Sequence, residues 1–422
     1  MANKYWLGTA DAVAQVATGS IDTVDGTPAN NTFTVTIGGV AISAVGDTDV
    51  ATTATNLRAS LNASTHPYFE AITWSGATGD IIGTADTAGA PFIAALTETG
   101  AGTGSVTDFA ATTASAGPND WSTADNWSDG AVPGAADNVT ISESSVSIAW
   151  GLDQNAVDLT SLTVLDSFTG KIGLDRTQFA TAADAATFST VAKAEYREDY
   201  LIIGSDLGNL GQNLGPSSGA GSGRIKWKND KAGAADIIVH KTSTASTETG
   251  LPAIRLLAAN ANIDLWIRDA QAGVGVAMDE PDETSTFGTI SISAENSTTR
   301  VFVSDGVTYT TYTQSGGDNI ISSAGTPTTV EVNGGKLVLE ADFAVTTMEV
   351  NAGEVIANNV KTSAVEFATI NQNGGIVDFS KSNRPRVVTT YNLDEGTLIS
   401  DDAVLTITTL DQPAGLTTLT AS

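Results

Sequence analysis

Glycines in the C-terminal third of this chain recur at nearly constant intervals, each closing a short polar turn between runs of alternating aliphatic residues. The turns read QSGG (314–317), VNGG (332–335), NAGE (351–354), QNGG (372–375), DEGT (394–397) and PAGL (413–416). With Gly317, Gly335, Gly353, Gly375, Gly396 and Gly415 as markers, the intervals are 18, 18, 22, 21 and 19 residues. A period near twenty, with strand-length apolar runs, is that of one coil of a right-handed parallel β-helix. Gly and Asn take the positive-φ corners of such a coil, and Val, Ile and Leu stack inward. The expected stack is Lys336-Leu337-Val338-Leu339 over Glu354-Val355-Ile356-Ala357 over Gly375-Ile376-Val377-Asp378, within an array of about a dozen or more coils. A globular sandwich is the alternative, but the sequence lacks the paired Asn-Gly hairpins a sandwich would use.

The segment 119–141, NDWSTADNWSDGAVPGAADNVTI, marks where this array begins. Trp121 and Trp127 stand six residues apart among Asn, Asp and Ser, and a Gly-Ala-Val-Pro turn leads into the alternation Val139, Ile141. Aromatics this large in so polar a setting need a surface to bury against. The segment therefore reads as a lid on the first coil, with Trp121, Trp127, Pro133 and Asp137 as its structural cap. Asp125, Asp129 and Asp137 make better sense as turn-formers than as catalytic acids.

Upstream the pattern is mixed. Residues 1–20 read as an arm whose bulky anchors are Tyr5 and Trp6. Residues 32–37 (TFTVTI) alternate, Gly38-Gly39 supplies a two-residue hairpin turn, and residues 40–44 answer it. Asp47-Thr48-Asp49 can cap a helix carrying Val50, Ala54, Leu57 and Leu61 at spacings of four, three and four, ended by His66-Pro67. Residues 69–74 with 79–84, and residues 91–95 with 106–110, complete two further strand pairs. The expected organisation is an N-terminal arm (1–20), a small α+β module (21–116), and a parallel β-helix with a Trp-rich N-terminal cap (117–422), mainly β overall. Residues 182–194 are the one stretch of helical periodicity beyond the cap.

Composition narrows the functional classes. Lys and Arg number 19 against 48 acids, a formal charge of −29, which opposes a nucleic-acid or anionic-membrane partner because phosphate contacts need basic side chains. Such acidity keeps a protein soluble and suits docking on a basic surface. Cys is absent and the two His lie far apart at 66 and 240, which argues against disulfides, thiolate or His-rich metal sites and a His-based catalytic apparatus. No cofactor or metal is expected. No apolar run approaches the roughly 18 residues of a membrane span. The opening MANKYWLGTADAVAQV lacks a basic stretch followed by an apolar core, so synthesis and use in a cytoplasm without signal-peptide export is expected.

Three stretches merit testing for chemistry. Residues 204–223 (GSDLGNLGQNLGPSSGAGSG) are Gly-rich, but they match neither a phosphate-binding loop nor a dinucleotide fingerprint and read as a surface loop. The next five, RIKWK, place Arg224, Lys226 and Lys228 on one strand face and Ile225 and Trp227 on the other. The first 170 residues hold only Lys4 and Arg58 as bases against 18 acids. Against that background the cluster reads either as a contact for an acidic neighbour, such as another copy, or as a solvated outer face. Carboxylate pairs in a β-helix groove can cleave polysaccharides, and Asp264 and Asp269 flanking Trp266, with Glu280, Asp282 and Glu283 nearby, are the candidates. Aromatics are only 6% of the chain, which is sparse for a sugar groove, and no enzymatic activity is expected.

The Trp segment resembles the W…NW…G-x-VP…D-x-V-x-I opening motif of β-helical virion proteins of tailed bacteriophages. Here Trp121, Asn126, Trp127, Gly130, Val132, Pro133, Asp137, Val139 and Ile141 carry it. The amino-terminal KYWLGTADA (4–12), the module's TFTVTIGG and ITWSGATGDIIGTADTAGAPF, and residues 146–174 are similar to the same group, so the likeness spans roughly residues 4–230. It carries over no catalytic residues. It implies a capsid decoration (cement) or head-fibre protein on the virion exterior, made in the host cytoplasm. The partners implied are the major capsid protein and further copies of itself, as a homotrimer formed through the β-helix. Tyr5, Trp6 and the module are the candidate anchors to the shell, although the arm can equally pack on its own domain. In the anchoring case, removing residues 1–20 abolishes attachment and leaves folding intact. The alternative is a tail fibre or tailspike that binds, and possibly cleaves, host surface glycan. A bacterial surface adhesin is a weaker third reading, opposed by the missing export signal.

Overall fold

Alternation at a period of two buries every second residue of a strand against a core, and here it does so coil after coil along one axis. The computed structural model describes residues 2–25, 27, 30–181, 193–211, 225–242, 252–271, 273–276, 284–294, 299–304, 306–322, 326–340, 344–357, 365–381, 385–400, 405–413 and 419–420. It is mainly β, with 54% strand against 6% helix, and its main body is a parallel β-solenoid of about 9 turns. That is fewer than the dozen or more coils expected.

Two parallel ladders build the solenoid. The first extends from Asn138–Ile141 to Leu405–Asp411. The second extends from Ile225–Asn229 to Leu419–Thr420. In the coils from Val307 to Ser400 the chain passes from a first-ladder strand through a tight Gly-containing turn into a second-ladder strand. It then returns by a connection of variable length: five residues separate Leu339 from Val345, and seven separate Ala357 from Val365. The return connection accounts for the uneven 18–22 residue period. The tight turn is invariant in form, and Gly317, Gly335, Gly353, Gly375 and Gly396 all sit at positive φ, from 70° to 109°. Gly415 lies outside the described residues.

The predicted stack holds for two coils and slips in the third. Lys336, Leu337, Val338 and Leu339 pair with Glu354, Val355, Ile356 and Ala357. Glu354 and Val355 then pair with Ile376 and Val377, so Gly375 belongs to the turn and not to the strand. The consequence follows from the two-residue period: Val377 points inward and is buried, while Ile376 points out and is 37% exposed.

The N-terminal module is an insertion with its own core. Trp6 and the cap tryptophans belong to the solenoid core, whereas Phe33, Val35, Leu57, Leu61 and Trp74 form a separate cluster. Val13 and Ala116 bridge the two chains of the neck, with Val13 N–H donating to Ala116 O at 2.7 Å. The hairpin Asn31–Ile37/Val40–Val45 forms as predicted, its Gly38 and Gly39 at φ 57° and 80°. The helix Val50–Ala63 buries Ala54, Leu57 and Leu61, and the Asp49 carboxylate caps it by accepting from Thr52 N–H. Two predictions for this region fail. Ala94–Gly100 and Ser105–Thr113 do not form a pair of their own. The former adds to the hairpin, and the latter pairs with Val16–Thr23 in a four-stranded sheet with Ile72–Ser75 and Asp80–Ala85. Nor is there one helix over one sheet: the module has two sheets. The stretch 182–192 lies outside the described residues, and the strand Lys193–Asp199 follows it.

Backbone closeness at the turn makes its glycines testable. A Cβ on Gly353 would lie 2.4 Å from Gly335 O, whereas one on Gly130, also at positive φ, would meet nothing within 4 Å. We expect Gly130→Ala to cost about 1–2 kcal/mol, the ordinary left-handed penalty. Gly353→Ala should cost distinctly more, measured as the difference in urea midpoints at constant slope.

Candidate functional site

The amino-terminal residues turn out to be the first rung of the solenoid. Asn3–Tyr5 pairs in parallel with Asn138–Ile141, Asn3 opposite Asn138 and Tyr5 opposite Thr140. A strand in KYW puts Lys4 and Trp6 on one face and Tyr5 on the other; Lys4 and Trp6 are buried, and Tyr5 is 46% exposed. Trp6 packs edge-on against Trp127 with ring centroids 5.2 Å apart, and Trp127 does the same against Trp121 at 4.7 Å. Three indoles thus close the coil where two were predicted. The missed signal was the two-residue period of KYW.

Most polar groups around these rings are paired, the exception being the buried Trp121 Nε1–H, which has no hydrogen-bond partner. Trp127 Nε1–H donates to Trp121 O at 2.8 Å and Trp6 Nε1–H to Val146 O at 3.0 Å. The buried Asn126 donates to Gly117 O and Asp120 O and accepts from Ala10 N–H. Lys4 Nζ reaches Asp129 at 2.5 Å and also Ala131 O. Asp137 accepts from Ala2 N–H at 2.8 Å and from Gly134 N–H at 3.1 Å. Pro133 is buried beside this turn. The Ala2 and Gly134 N–H bonds hold the Asp137 carboxyl below its ordinary value, and the bond from Lys4 does the same for Asp129. Burial acts the other way on Asp120 and raises it.

These placements change the anchoring idea. Trp6 is unavailable as a shell contact, and Val16–Thr23 is an interior strand of the module's four-stranded sheet. Removing residues 1–20 would therefore dismantle both units. Of the predicted contact residues, Tyr5 alone stands well exposed. Arg224 lies outside the described residues. Lys226 is buried, its Nζ donating to Leu174 O, and it stacks in register with the equally buried Arg255. Lys228 is half-buried. The RIKWK strand is thus a second-ladder strand whose outward side is covered near Leu174, and it forms no solvated basic face. Trp227, on the inward side, packs over Gly208 and donates from Nε1 to Ile203 O at 3.1 Å.

The Gly-rich stretch is also structural at its start. Residues 204–210 belong to the strand Leu201–Leu210, where a Cβ on Gly208 would strike the Trp227 ring at 2.3 Å. Residues 212–223 lie outside the described residues. The carboxylate candidates do not converge. Asp264 faces outward and accepts from Thr289 N–H at 2.7 Å. Asp269 is buried at the following corner, accepting from Thr299 Oγ1 at 3.2 Å with Lys241 Nζ at 3.8 Å. Glu280, Asp282 and Glu283 lie outside the described residues. Among the described residues no group of three or more His, Asp or Glu is placed to hold a metal ion, and no helix is long and apolar enough to cross a membrane.

Two concavities stand out among the described residues. A cleft of about 920 Å³ separates the module from the solenoid. Tyr68, Phe92 and Ile93 line it on one side and Trp150, Leu152 and Tyr200 on the other, and Ile93 is 88% exposed. A smaller hollow of about 330 Å³ lies on the outward side of the first ladder between Asp236, Ile238, Trp266, Arg268 and Ser293. Compared with family models, with curated proteins and with solved structures, the chain has no match.

The cap yields two expectations. Trp6→Ala should destabilise the protein by about 3–5 kcal/mol, the range for truncating a buried Trp, read by thermal or urea melting. A carboxyl held low in the folded state gives stability that is complete above its unfolded value of about 4 and is lost as pH falls through the folded value. Asp137 and Asp129 therefore weaken the cap on acidification below about pH 4, while the raised Asp120 opposes them. In Asp137→Asn the acid-side loss of stability should be shallower, measured by melting between pH 2 and 6.

Proposed function

We propose that this protein is a structural component of a tailed-phage virion, a capsid decoration or head-fibre subunit that binds the outer shell and works by adhesion and rigidity, not turnover. The observation that carries this reading is the architecture of one end. A small module hangs on a two-strand neck from the first coil of a stiff rod, and the chain's own amino terminus locks that coil. A rod with a separately folded end-piece suits docking at one end and projection from the other. The apolar cleft at the neck, with the far-exposed Ile93, makes the module the anchoring element in place of the buried arm.

The partner in this reading is the major capsid protein, and the chain's charge of −29 favours a basic surface on it. The assembly is a homotrimer joined through the solenoids, a state implied by the family resemblance. The reading needs no cofactor. It places the protein on the capsid exterior after synthesis in the host cytoplasm. The alternative of a tail fibre or tailspike engaging host glycan is favoured by one observation, the outward Trp266 beside Asp236 and Arg268.

Native mass measurement of the purified protein should give a trimer, and purified heads should carry it in a fixed copy number. Exchange of a module-deleted chain (residues 13–116 replaced by a short linker) onto stripped heads should fail while the solenoid still folds. Attachment of the full chain should weaken as ionic strength screens the charge attraction. A monomer absent from heads overturns the proposal.

A further inference from the structure

The outward side of the first ladder carries small or polar residues at most coils, and Trp266 is the largest of the apolar exceptions, which include Leu207 and Ile238. In the strand Ile263–Ile267, Ile263, Leu265 and Ile267 point into the core, and Asp264 and Trp266 point out. Along the ladder the positions in register with Trp266 are Asn209, Ile238, Ser291 and Thr313. Trp266 is 41% exposed, while five of the seven tryptophans are buried and Trp150 is half-buried. An indole left in water on a flat β-face forgoes a large burial gain, and this one is also held in place. Its Nε1–H donates to Asp236 Oδ1 at 3.1 Å, on the preceding coil.

What surrounds the ring is ordered by the ladder. On one side lie the carboxylates Asp236 and Asp264, in register with each other. On the other, Arg268 and Ser293 stand on successive coils, Arg268 N–H bonding to Val239 O and Ser293 N–H to Ile267 O. Both are exposed. The hollow is lined by Asp236, Ile238, Trp266, Arg268 and Ser293, with Asp264 beside it, and measures about 330 Å³, at the small end of the range for ligand sites, about 300–1,000 Å³. It therefore offers an apolar plate, acceptors along one edge and donors along the other.

We propose that this hollow is a saccharide subsite, taking one pyranose ring of a neutral glycan. A pyranose has an apolar C–H face and a rim of hydroxyls. Its face would stack on Trp266, its hydroxyls would donate to Asp236, and its oxygens would accept from Arg268 and Ser293. The fixed indole adds little ordering cost on binding, since its rotamer is already set by Asp236. A neutral sugar is favoured over an acidic one because the chain's −29 charge repels a polyanion. The site involves binding only, with no bond broken, and it does not depend on where in the virion the chain is placed.

The test uses the full-length protein and an array of neutral and acidic oligosaccharides, followed by titration of the hits with intrinsic fluorescence and calorimetry. Trp266 is the most exposed of the tryptophans, so a ligand stacked on it should shift the emission saturably and protect it from acrylamide quenching. Trp266→Ala should weaken binding about tenfold or more, and Asp236→Asn and Arg268→Ala severalfold, with melting temperatures unchanged. Trp266→Phe, which keeps an aromatic plate, should retain part of the affinity. Absence of any neutral hit, binding of acidic glycans alone, or undiminished binding in Trp266→Ala would each overturn the proposal. So would loss of oligomerisation in Trp266→Ala without any glycan effect, since the ring would then be an interface between copies.

Discussion

The backbone of one coil lies directly on the backbone of the next at the tight turn, and the rest of the solenoid is arranged around that contact. Gly335, Gly353, Gly375 and Gly396 stack there so closely that a Cβ on any of them would come within 2.6 Å of backbone in the coil before. The same closeness lets the N–H following each glycine donate to the previous glycine's carbonyl: Glu354 to Gly335 O, Ile376 to Gly353 O and Thr397 to Gly375 O, at 2.8–2.9 Å. Asparagines just before the glycines bond side chain to side chain up the same edge, Asn351 to Asn333 and Asn373 to Asn351. The turn therefore fixes the rise and register of each coil before any side chain in the core is chosen. The variable return connections can then differ in length without disturbing the stack.

Inside the solenoid, buried polar side chains are drawn into pairs and networks. Tyr312 and Tyr391 are buried in register-related positions of the first ladder, and burial raises both phenols above their ordinary value. Each hydroxyl donates to a buried Gln, Tyr312 to Gln314 and Tyr391 to Gln372. The glutamine amides in turn donate to turn carbonyls, Gln314 to Gly334 O and Gln372 to Gly375 O. These networks tie the core to the glycine edge. A half-satisfied network would cost more than an apolar core, so Tyr and Gln act here as a set.

Legibility in the sequence followed the range of the interactions. The glycine period, the Gly-Gly hairpin and the Asp49-capped helix are local patterns and could be read directly. The third-coil register went wrong by one residue because Gly375 and Ile376 both suit either side of a turn boundary, and only the preceding coil decides between them. The pairing of Ala94–Gly100 and Ser105–Thr113 was missed for a related reason: strands adjacent in sequence take partners far away, at Asn31–Ile37 and Val16–Thr23. Lys226 looked like a surface base because alternation assigns a side but not what covers it. At the candidate site, Asp264, Trp266 and Arg268 all stand in DLWIRD, whereas Asp236 and Ser293 arrive from neighbouring coils and have no linear signature.

The pairing of Asn3–Tyr5 with Asn138–Ile141 also sets an order of events during synthesis. The strand Asn3–Tyr5 leaves the ribosome with no partner until more than a hundred further residues have emerged, so Trp6 waits unpaired while the intervening module is made. At an elongation rate of about 5–20 residues per second, that wait is several seconds or longer, ample for a small domain to fold first. The neck between Val13 and Ala116 then brings the waiting strand to the place where the first coil forms. The neck thus keeps two strands far apart in sequence close enough to pair, and the coil they close is the one against which the next coil is laid.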